Sequence, residues 1–473
     1  MATAAGRLSS RALAARLLAA VLEQRQPLDS LVSLDENSIA QDWDRVEGLI
    51  ARLQQNYGFL VVRDRAFVRL LLVTALRHLG EIDLLLSQRL REPIKPPDYV
   101  AYHLLRLGLV QLLWLETPAH AAVNATVAAA DELEIGHLKP LLNGVMRSVV
   151  RQMDSESPLV DLDGYELNLP DWLRQSWEQS YGEAAARASF AVMQSRPPLD
   201  LTTVPTMPAE IKQRLLADYG GFELPNGSLR LTTSGSATEL PGFDLPLWWV
   251  QDAAATLPVR LLKISEGDEV AEFCAAPGGK TMQLASHGAK GWAVDRSVGR
   301  MKRLQQNLAR LALSQQVSLV LSSVEQWQPQ RLFAKILLDA PCSATGTLRR
   351  HPDIARLKSA AEIANLAAVQ LRLLQAALKL LAPGGVLVYC TCSLEVMEGE
   401  RVIATALAAN PNLAISRIAA SELAQGGDES PFAAMISSDG MLRILPHYWQ
   451  DYGGIDGFFA ARLVWRTEAQ SPG

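Results

Sequence analysis

The first 155 residues carry a hydrophobic pattern with the period of a helix. Apolar residues recur every three or four positions from Ala12 to Leu22 and again from Phe67 to Leu86, a spacing that places them on one face of an α-helix. Tyr99–Leu115 is apolar nearly all round, as in a buried helix, and another helical run extends from His120 to Leu133. Because strand-like alternation is missing from this part, we predict an all-α bundle over residues 1–155.

A different pattern begins near residue 246, where short apolar runs alternate with helical stretches. Arg300–Leu313 and Ala360–Leu381 have helical periodicity, and the tail around Gly453-Gly454 has the character of a hairpin. Strand–helix alternation is typical of a parallel, doubly wound sheet, so we predict an α/β domain over residues 246–473. The strand-like runs are Val270–Phe273, Gly291–Val294, Val317–Leu321, Lys335–Leu338 and Val386–Tyr389.

Residues 156–245 fit neither pattern. Asp154–Leu169 contains the Ser, Pro and Gly residues of a linker. A short helix near Trp172 precedes short strands at Thr202–Val204 and Leu229–Leu231. We predict a small α+β domain here, and three parts agree with ~100–200 residues per domain.

Composition narrows the class of protein. The chain has 473 residues and is 49% hydrophobic and 20% charged, which excludes a disordered chain. Charged residues or proline interrupt every apolar run before the ~18 residues of a membrane span. Four cysteines are too few for a disulfide framework, and the arginines within residues 1–20 do not fit a signal peptide. We therefore expect a soluble, cytoplasmic protein with reduced thiols.

A glycine-rich turn, EFCAAPGGKT, follows the first strand of the predicted α/β domain. Gly278 and Gly279 let a ligand approach the backbone, and exposed amides at the start of the next helix favour a carboxylate or phosphate. Asp295 ends the following strand, near the ~20-residue spacing at which a carboxylate binds ribose hydroxyls. These features favour a nucleoside-cofactor site, and an ordinary strand-to-helix turn is the alternative.

Two later motifs, LLDAPCS and YCTCS, bring Cys342 and Cys392 to the carboxyl edge of the predicted sheet, where doubly wound sheets bind ligands. The residues alone leave three interpretations open. Buried cysteines are common in cores. A metal site would have only His351 nearby and a Cys-x-Cys spacing that is poor for zinc. A nucleophilic thiol needs local positive charge to ionise, which the arginines after Cys342 could supply.

The sequence resembles the bacterial 16S rRNA (cytosine-C5) methyltransferases of the RsmB/Fmu/Sun type, within the NOL/NOP/Sun RNA methyltransferase family. The resemblance implies a NusB-like helical domain over residues 1–155, a small α+β RNA-binding domain over 156–245 and a Rossmann-like class I methyltransferase domain over 246–473. It rests on the motifs RALAARLL, DRAF, LLRLGLVQLLWLETPAHAAVN, VQDAA, FCAAPGGKT, DAPCSATGTLRRHPD, YCTCS, LRILPH and DGFFAARL.

The resemblance also implies roles for individual residues. Cys392 matches the family's nucleophile. Cys342 matches its second cysteine, which helps to release the product. Asp339 matches a residue that forms hydrogen bonds with the cytosine ring. Cys390 matches no catalytic position and is expected in the core. The implied cofactor is S-adenosylmethionine as methyl donor, without a metal. Its expected binding residues are Cys274, Ala275, Ala276, Pro277, Gly278, Gly279, Lys280, Asp295, Ser323 and Asp339.

Three stretches depart from the family pattern. Ser322-Ser323 stands where the family usually has an acidic residue that contacts adenine. Thr202–Val204 replaces an Arg-Val-Asn stretch, so a basic RNA contact is missing there. Ser33–Arg63 is longer than usual, and we assign it no function.

The expected partner is 16S rRNA or a small-subunit assembly intermediate, bound by a monomer. A net charge of −5 and a pI near 5.9 argue against binding through bulk charge, so we expect a locally positive groove beside the two cysteines. Arg349, Arg350 and His351 are the predicted RNA contacts. The same chemistry on tRNA, or a non-catalytic RNA-binding assembly factor, is the alternative.

Overall fold

The computed structural model describes residues 7–32, 46–96, 98–155, 163–232 and 237–466. The chain forms two compact units. One contains Met1–Gln175 together with His351–Lys358, and the other contains Ser176–Arg350 and Ser359–Gly473. The division into three domains, with boundaries near 155 and 245, stays a prediction.

The first unit is helical. α1 begins after Ser9, whose side chain accepts a hydrogen bond from the Ala12 amide, and its apolar face is buried, as at Leu13 and Leu17. The helices of this part are α1 Ser10–Leu22, α2 Leu28–Leu31, α3 Val46–Phe59, α4 Val62–Arg77, α5 Leu79–Ser87, α6 Val100–Leu113, α7 Ala119–Glu132, α8 Lys139–Met153, α9 Gly164–Asn168 and α10 Asp171–Tyr181. The last of them, α10, ends within the second unit.

The single helix predicted over Phe67–Leu86 is wrong in one respect, because the chain leaves the helical conformation at His78 (φ −107°, ψ 23°). The His78 ring stacks on Trp114 at 4.4 Å and its Nδ1 lies 2.7 Å from Glu81. The local contact with Glu81 and the tertiary contact with Trp114 accompany the break in the continuous helical pattern. Of the stretch Ser33–Arg63, residues 33–45 lie outside the described residues.

The second unit contains a small antiparallel sheet of four strands in the order β2-β3-β1-β4. Both strands predicted in this part of the sequence are present, as β1 and β3. The elements up to the larger sheet are α11 Glu183–Gln194, β1 Leu199–Thr203, α12 Ala209–Asp218, β2 Phe222–Glu223, β3 Leu229–Leu231, β4 Trp248–Val250 and α13 Ala253–Leu261.

The larger sheet follows, and the five strands predicted from apolar runs form its parallel part. The remaining elements are β5 Glu269–Phe273, α14 Gly279–Ser286, β6 Lys290–Asp295, α15 Val298–Arg310, β7 Val317–Leu321, β8 Phe333–Asp339, α16 Ile354–Leu357, α17 Ala360–Leu378, β9 Leu381–Thr391, α18 Glu400–Ala409, β10 Leu413–Ile415, β11 Leu442–Ile444 and β12 Phe458–Trp465; α16 belongs to the first unit.

The order of this sheet is β10-β12-β9-β8-β5-β6-β7, with β11 paired to β12. Strands β5 to β9 are parallel, whereas β10, β11 and β12 pair antiparallel, so the sheet is mixed. Val270 and Ala271 both lie in buried clusters, on opposite faces of the sheet. Burial on both faces explains why these strands read as continuous apolar runs. None of the described helices is long and apolar enough to cross a membrane.

Candidate active site

Four neighbouring strands end at one edge of the larger sheet. In sheet order, β9, β8, β5 and β6 end at Thr391, Asp339, Phe273 and Asp295. The residues that follow these strands therefore meet along the carboxyl edge, where open α/β sheets bind ligands. A cavity of about 530 Å³ lies there, and its lining includes Cys274, Ala276, Asp295, Ser322, Ser323, Asp339, Cys342 and Cys392.

A larger groove of about 730 Å³ lies nearby, between residues 324–332 and α17, and its lining includes Trp327 and Arg331. None of the motifs that could carry chemistry contributes to its lining. We therefore place the chemistry in the smaller cavity, which collects both cysteine motifs and the glycine-rich turn.

The glycine-rich turn has a backbone that requires glycine at one position. Gly278 has φ +104° and directly precedes α14. A Cβ atom there would lie 2.1 Å from Leu304 Cδ1, so any side chain would meet both strain and a clash. Gly279 is the first residue of α14. The turn, whose Cys274 and Ala276 line the cavity, leads directly into the start of a helix, and amides at a helix start favour an anion.

Asp295 is fixed against this turn. One carboxylate oxygen accepts hydrogen bonds from the Ala276 amide (3.2 Å) and from Arg300 (2.7 Å), and the other accepts one from the Ser297 amide (2.9 Å). A carboxylate has about four acceptor positions, so this arrangement orients Asp295 and leaves capacity for ligand hydroxyls.

Lys280 and Asp339 form an ion pair beside Cys390 of the second cysteine motif. Lys280 Nζ lies 2.7 Å from Asp339 Oδ2 and 5.2 Å from the centre of the Phe458 ring. Burial alone would lower the pKa of Lys280, but the charge of Asp339 raises it above its ordinary value. The other Asp339 oxygen accepts a hydrogen bond from the Cys390 thiol at 3.4 Å. The sequence did not predict this partner for Lys280.

The two cysteines from neighbouring strands meet. Cys342 Sγ and Cys392 Sγ lie 3.5 Å apart, and both side chains are partly buried. The hydrogen bond to Cys392 and burial raise the pKa of the Cys342 thiol well above its ordinary value, with a further contribution from the charge of Glu398. These surroundings disfavour the thiolate form of Cys342.

The other two cysteines occupy different surroundings. Cys390 is completely buried, as predicted for a core residue, and burial with the nearby Asp339 raises the pKa of its thiol well above the ordinary value. Burial raises the pKa of Cys274 to about 12. In the part of the chain that the structure describes, no three His, Cys, Asp or Glu side chains form a group that could hold a metal ion.

Arg349 and Arg350, predicted to contact RNA, share ion pairs with two carboxylates. Arg349 bonds Asp456 through Nε and Asp252 Oδ2 at 2.9 Å. Arg350 bonds the same two carboxylates at 2.9 and 2.7 Å. The Arg349 side chain is 0% exposed, which argues against contact with RNA. These bonds fix the end of the loop after Cys342 to the start of α13 and to the segment before β12.

Sequence reasoning missed Asp252 and Asp456, although both stand in motifs, VQDAA and DGFFAARL, that carry the family resemblance. A buried arginine needs such partners, but the sequence does not show which arginine is buried. His351, the third predicted RNA contact, lies in the first unit, where its Nδ1 is 3.1 Å from Asp29 Oδ2.

The predicted positive groove is not found in the cavity itself. Three arginines, Arg296, Arg300 and Arg372, stand among its lining residues. Three acidic residues, Asp295, Glu325 and Asp339, stand there as well. The formal charges of the lining therefore balance.

Two family models match the sequence. Residues 259–464 match 16S rRNA methyltransferase RsmB/F, and residues 8–151 match the NusB family. Ribosomal RNA small subunit methyltransferase B of Yersinia enterocolitica is 32% identical over 465 residues, which are 96% of this chain and 98% of the relative. The chain belongs to the RsmB/F family of 16S rRNA methyltransferases.

Other comparisons agree with membership in the RsmB/F family. The methyltransferase B of Yersinia pseudotuberculosis is 34% identical over 391 residues, covering 81% of this chain and 91% of the relative. The crystal structure of PH0851 has a TM-score of 0.72 at 18% identity and covers 96% of this chain and 99% of its own, so it shares the fold. The family resemblance, the NusB-like helical domain and the fold of an S-adenosylmethionine-dependent methyltransferase are confirmed.

Proposed function

We propose that this protein methylates carbon 5 of a cytosine in 16S rRNA through a covalent bond between Cys392 and the base. The observation that carries the proposal is the 3.5 Å approach of Cys342 and Cys392 at the sheet edge. Asp339, from the strand beside them, lines the same cavity. The family establishes methyl transfer to small-subunit rRNA; the atom methylated and the covalent intermediate are our proposal.

The residues present fit S-adenosylmethionine as the methyl donor. When bound, it supplies a methyl group on a sulfonium that an electron-rich carbon can take. The turn Cys274–Lys280 would hold its methionine part at the start of α14. Asp295 would bind the ribose hydroxyls with its remaining acceptor capacity, and Ser323 would face the adenine.

The chemistry needs a nucleophile because carbon 5 of cytosine is unreactive. The Cys392 thiolate adds to carbon 6, and the displaced electron pair makes carbon 5 an enamine carbon that accepts the methyl group. Loss of the carbon 5 proton and expulsion of the thiolate then restore the ring. Asp339 would accept a hydrogen bond from the amino group and, through a proton shared with the ring nitrogen, offset the charge that builds on the base. Lys280 would keep that carboxyl group in place.

The surroundings of the thiols support this choice of nucleophile. Cys390 is buried and bonded to Asp339, and Cys274 has its pKa raised to about 12. Cys342 lies 3.5 Å from Cys392, which places it to act in product release. After giving up its own proton to solvent, the Cys342 thiolate would accept the carbon 5 proton as Cys392 leaves.

The substrate is proposed to be 16S rRNA or an assembling small subunit, bound by a monomer in the cytoplasm. The base must leave its stack to reach a cavity at a sheet edge. The names of the relatives and the NusB match favour rRNA over tRNA. A non-catalytic assembly factor would not need Asp339, Cys342 and Cys392 together.

The test is methyl transfer from labelled S-adenosylmethionine to unmodified small-subunit RNA, followed by nucleoside analysis. We expect label in 5-methylcytosine from that RNA and none from tRNA. Label in another nucleoside would refute the carbon 5 chemistry, and transfer only to tRNA would refute the substrate. No transfer to RNA of either kind, or to small-subunit particles, would leave the assembly factor as the better account.

A further inference from the structure

A buried carboxylate holds the two cysteine motifs together. Glu398, just before α18, is 0% exposed. It accepts hydrogen bonds from the amide of Ser343 (2.9 Å) and from its hydroxyl, and from the hydroxyl of Ser393 (2.5 Å). Each serine directly follows one of the paired cysteines in the sequence. One carboxylate therefore bridges the residues next to Cys342 and Cys392.

The same carboxylate is tied to α17 through Gln370. The side-chain amide of Gln370 donates hydrogen bonds to Glu398 (2.9 Å) and to the carbonyl of Pro341 (2.9 Å). Both sequence neighbours of Cys342 are therefore held: the Pro341 carbonyl accepts a hydrogen bond from Gln370, and Ser343 donates to Glu398. The donors come from the loop after β8, from the segment after β9 and from α17, so the carboxyl group of Glu398 joins three segments.

Loss of Glu398 should affect the two cysteines unequally. Cys392 directly follows β9, where Thr391 pairs with Phe459 of β12, and the Ser393 carbonyl accepts a hydrogen bond from buried Arg443 at 2.6 Å. Cys342 lies in a loop without regular structure. The amides of Ala340 and Gly346 anchor the ends of this loop on the carbonyls of Cys390 and Cys392 at 2.9 and 3.0 Å. Between these anchors, Gln370 and Glu398 hold the residues on either side of Cys342.

We propose that Glu398 is a positioning residue that holds Cys342 against Cys392, so that its loss selectively impairs product release. The inference rests on the proposed function, in which Cys342 promotes elimination of the methylated base from Cys392. Glu398 is not among the residues that line the cavity.

The test uses the full-length Glu398→Gln variant with small-subunit RNA and S-adenosylmethionine, and measures turnover and the fraction of protein covalently bound to RNA. Because 1 Å of misplacement can cost ~100-fold, we expect turnover to fall by about tenfold or more while the KM for S-adenosylmethionine changes little. The covalent fraction should rise several-fold. A general loss of structure would lower both quantities, so the rise identifies a positioning role.

Glu395→Gln is the matched control, since Glu395 is buried three residues away and accepts hydrogen bonds from Ser176 and Trp177, with a further one from Thr345. This substitution leaves the bonds of Ser343 and Ser393 to Glu398 in place. It should not accumulate the covalent species. If Glu398→Gln does not fold, Ser343→Ala removes one of the same hydrogen bonds and should raise the covalent fraction to a smaller extent.

Two outcomes overturn the role of Glu398 but leave the proposed function standing. One is a covalent fraction in Glu398→Gln that is no higher than in Glu395→Gln. The other, where Glu398→Gln is unfolded, is a covalent fraction in Ser343→Ala that does not exceed that of the wild type. A wild-type protein that neither methylates cytosine nor forms the covalent species overturns the proposed function and this inference with it.

Discussion

Cys342 and Cys392 approach to 3.5 Å between their sulfur atoms although fifty positions separate them in the sequence. The pairing of β8 with β9 explains the approach, because the register sets Asp339 opposite Cys390. Cys342 follows the first of these residues by three positions and Cys392 follows the second by two. The parallel sheet thus delivers an acid and two thiols to one edge.

The turn at Gly278 should tolerate no side chain. Gly278→Ala would place a Cβ 2.1 Å from Leu304 Cδ1 at φ +104°, so we expect a lower Tm and weaker binding of S-adenosylhomocysteine in calorimetric titration. Gly267→Ala is the control, because Gly267 has φ +83° with open space around it. It shares the backbone strain, of order 1 kcal/mol, without the clash. Equal effects of the two substitutions on ligand binding would contradict the account.

Glu272 should make stability depend on pH. It is buried in β5, neither carboxyl oxygen has a hydrogen-bond partner, and burial raises its pKa from 4.5 to about 8. Between these values the folded protein binds more protons at this group than the unfolded chain, so its contribution to stability falls as the pH rises. Glu272→Gln removes the ionisable group and with it this loss of stability at high pH.

The gain in Tm from Glu272→Gln should therefore be larger at pH 9 than at pH 5, measured by calorimetry. Glu269→Gln serves as the control, because Glu269 lies on the same strand with a side chain 44% exposed and paired with Arg331. A gain for Glu272→Gln that is independent of pH would show that the carboxyl group does not titrate in this range.

Arg349 should matter for stability and not for RNA affinity. Arg349→Met leaves Asp252 and Asp456 with one arginine fewer in a buried network, and breaking such pairs costs about 3–5 kcal/mol. With a shift of ~2–4 °C per kcal/mol, we expect the Tm to fall by roughly 10 °C. The Kd for RNA and its salt dependence, measured below the melting transition, should stay unchanged; a shallower salt dependence would restore Arg349 as an RNA contact.

The sequence was sufficient to predict the parallel strands and the meeting of the cysteines. Strands buried on both faces carry apolar runs that can be recognised without neighbours, and motifs at adjacent strand ends must lie close together. The sequence did not show which distant residues would be in contact. Arg349 bonds carboxylates 97 and 107 positions away, so its burial left no local signal, and an arginine beside a catalytic motif suggested RNA.

Glu398 was missed for the same reason. It sits in a short turn after the YCTCS motif, and its significance comes from Ser343, 55 positions earlier. The break at His78 likewise depends on a ring, Trp114, from another helix. Local pattern decides which segments form helices and strands, whereas contacts between segments decide where charged residues are buried.

The central claim is that Cys392 carries the base during methyl transfer. The direct measurement is to incubate Cys342→Ala with unmodified small-subunit RNA and S-adenosylmethionine, digest the covalent product with nuclease and protease, and identify the modified cysteine by mass spectrometry. We predict a methylated cytosine nucleotide on Cys392 and no covalent product when Cys392→Ala is added to the variant. A nucleotide on Cys390 or Cys274, or a covalent product that survives the loss of Cys392, would contradict the account.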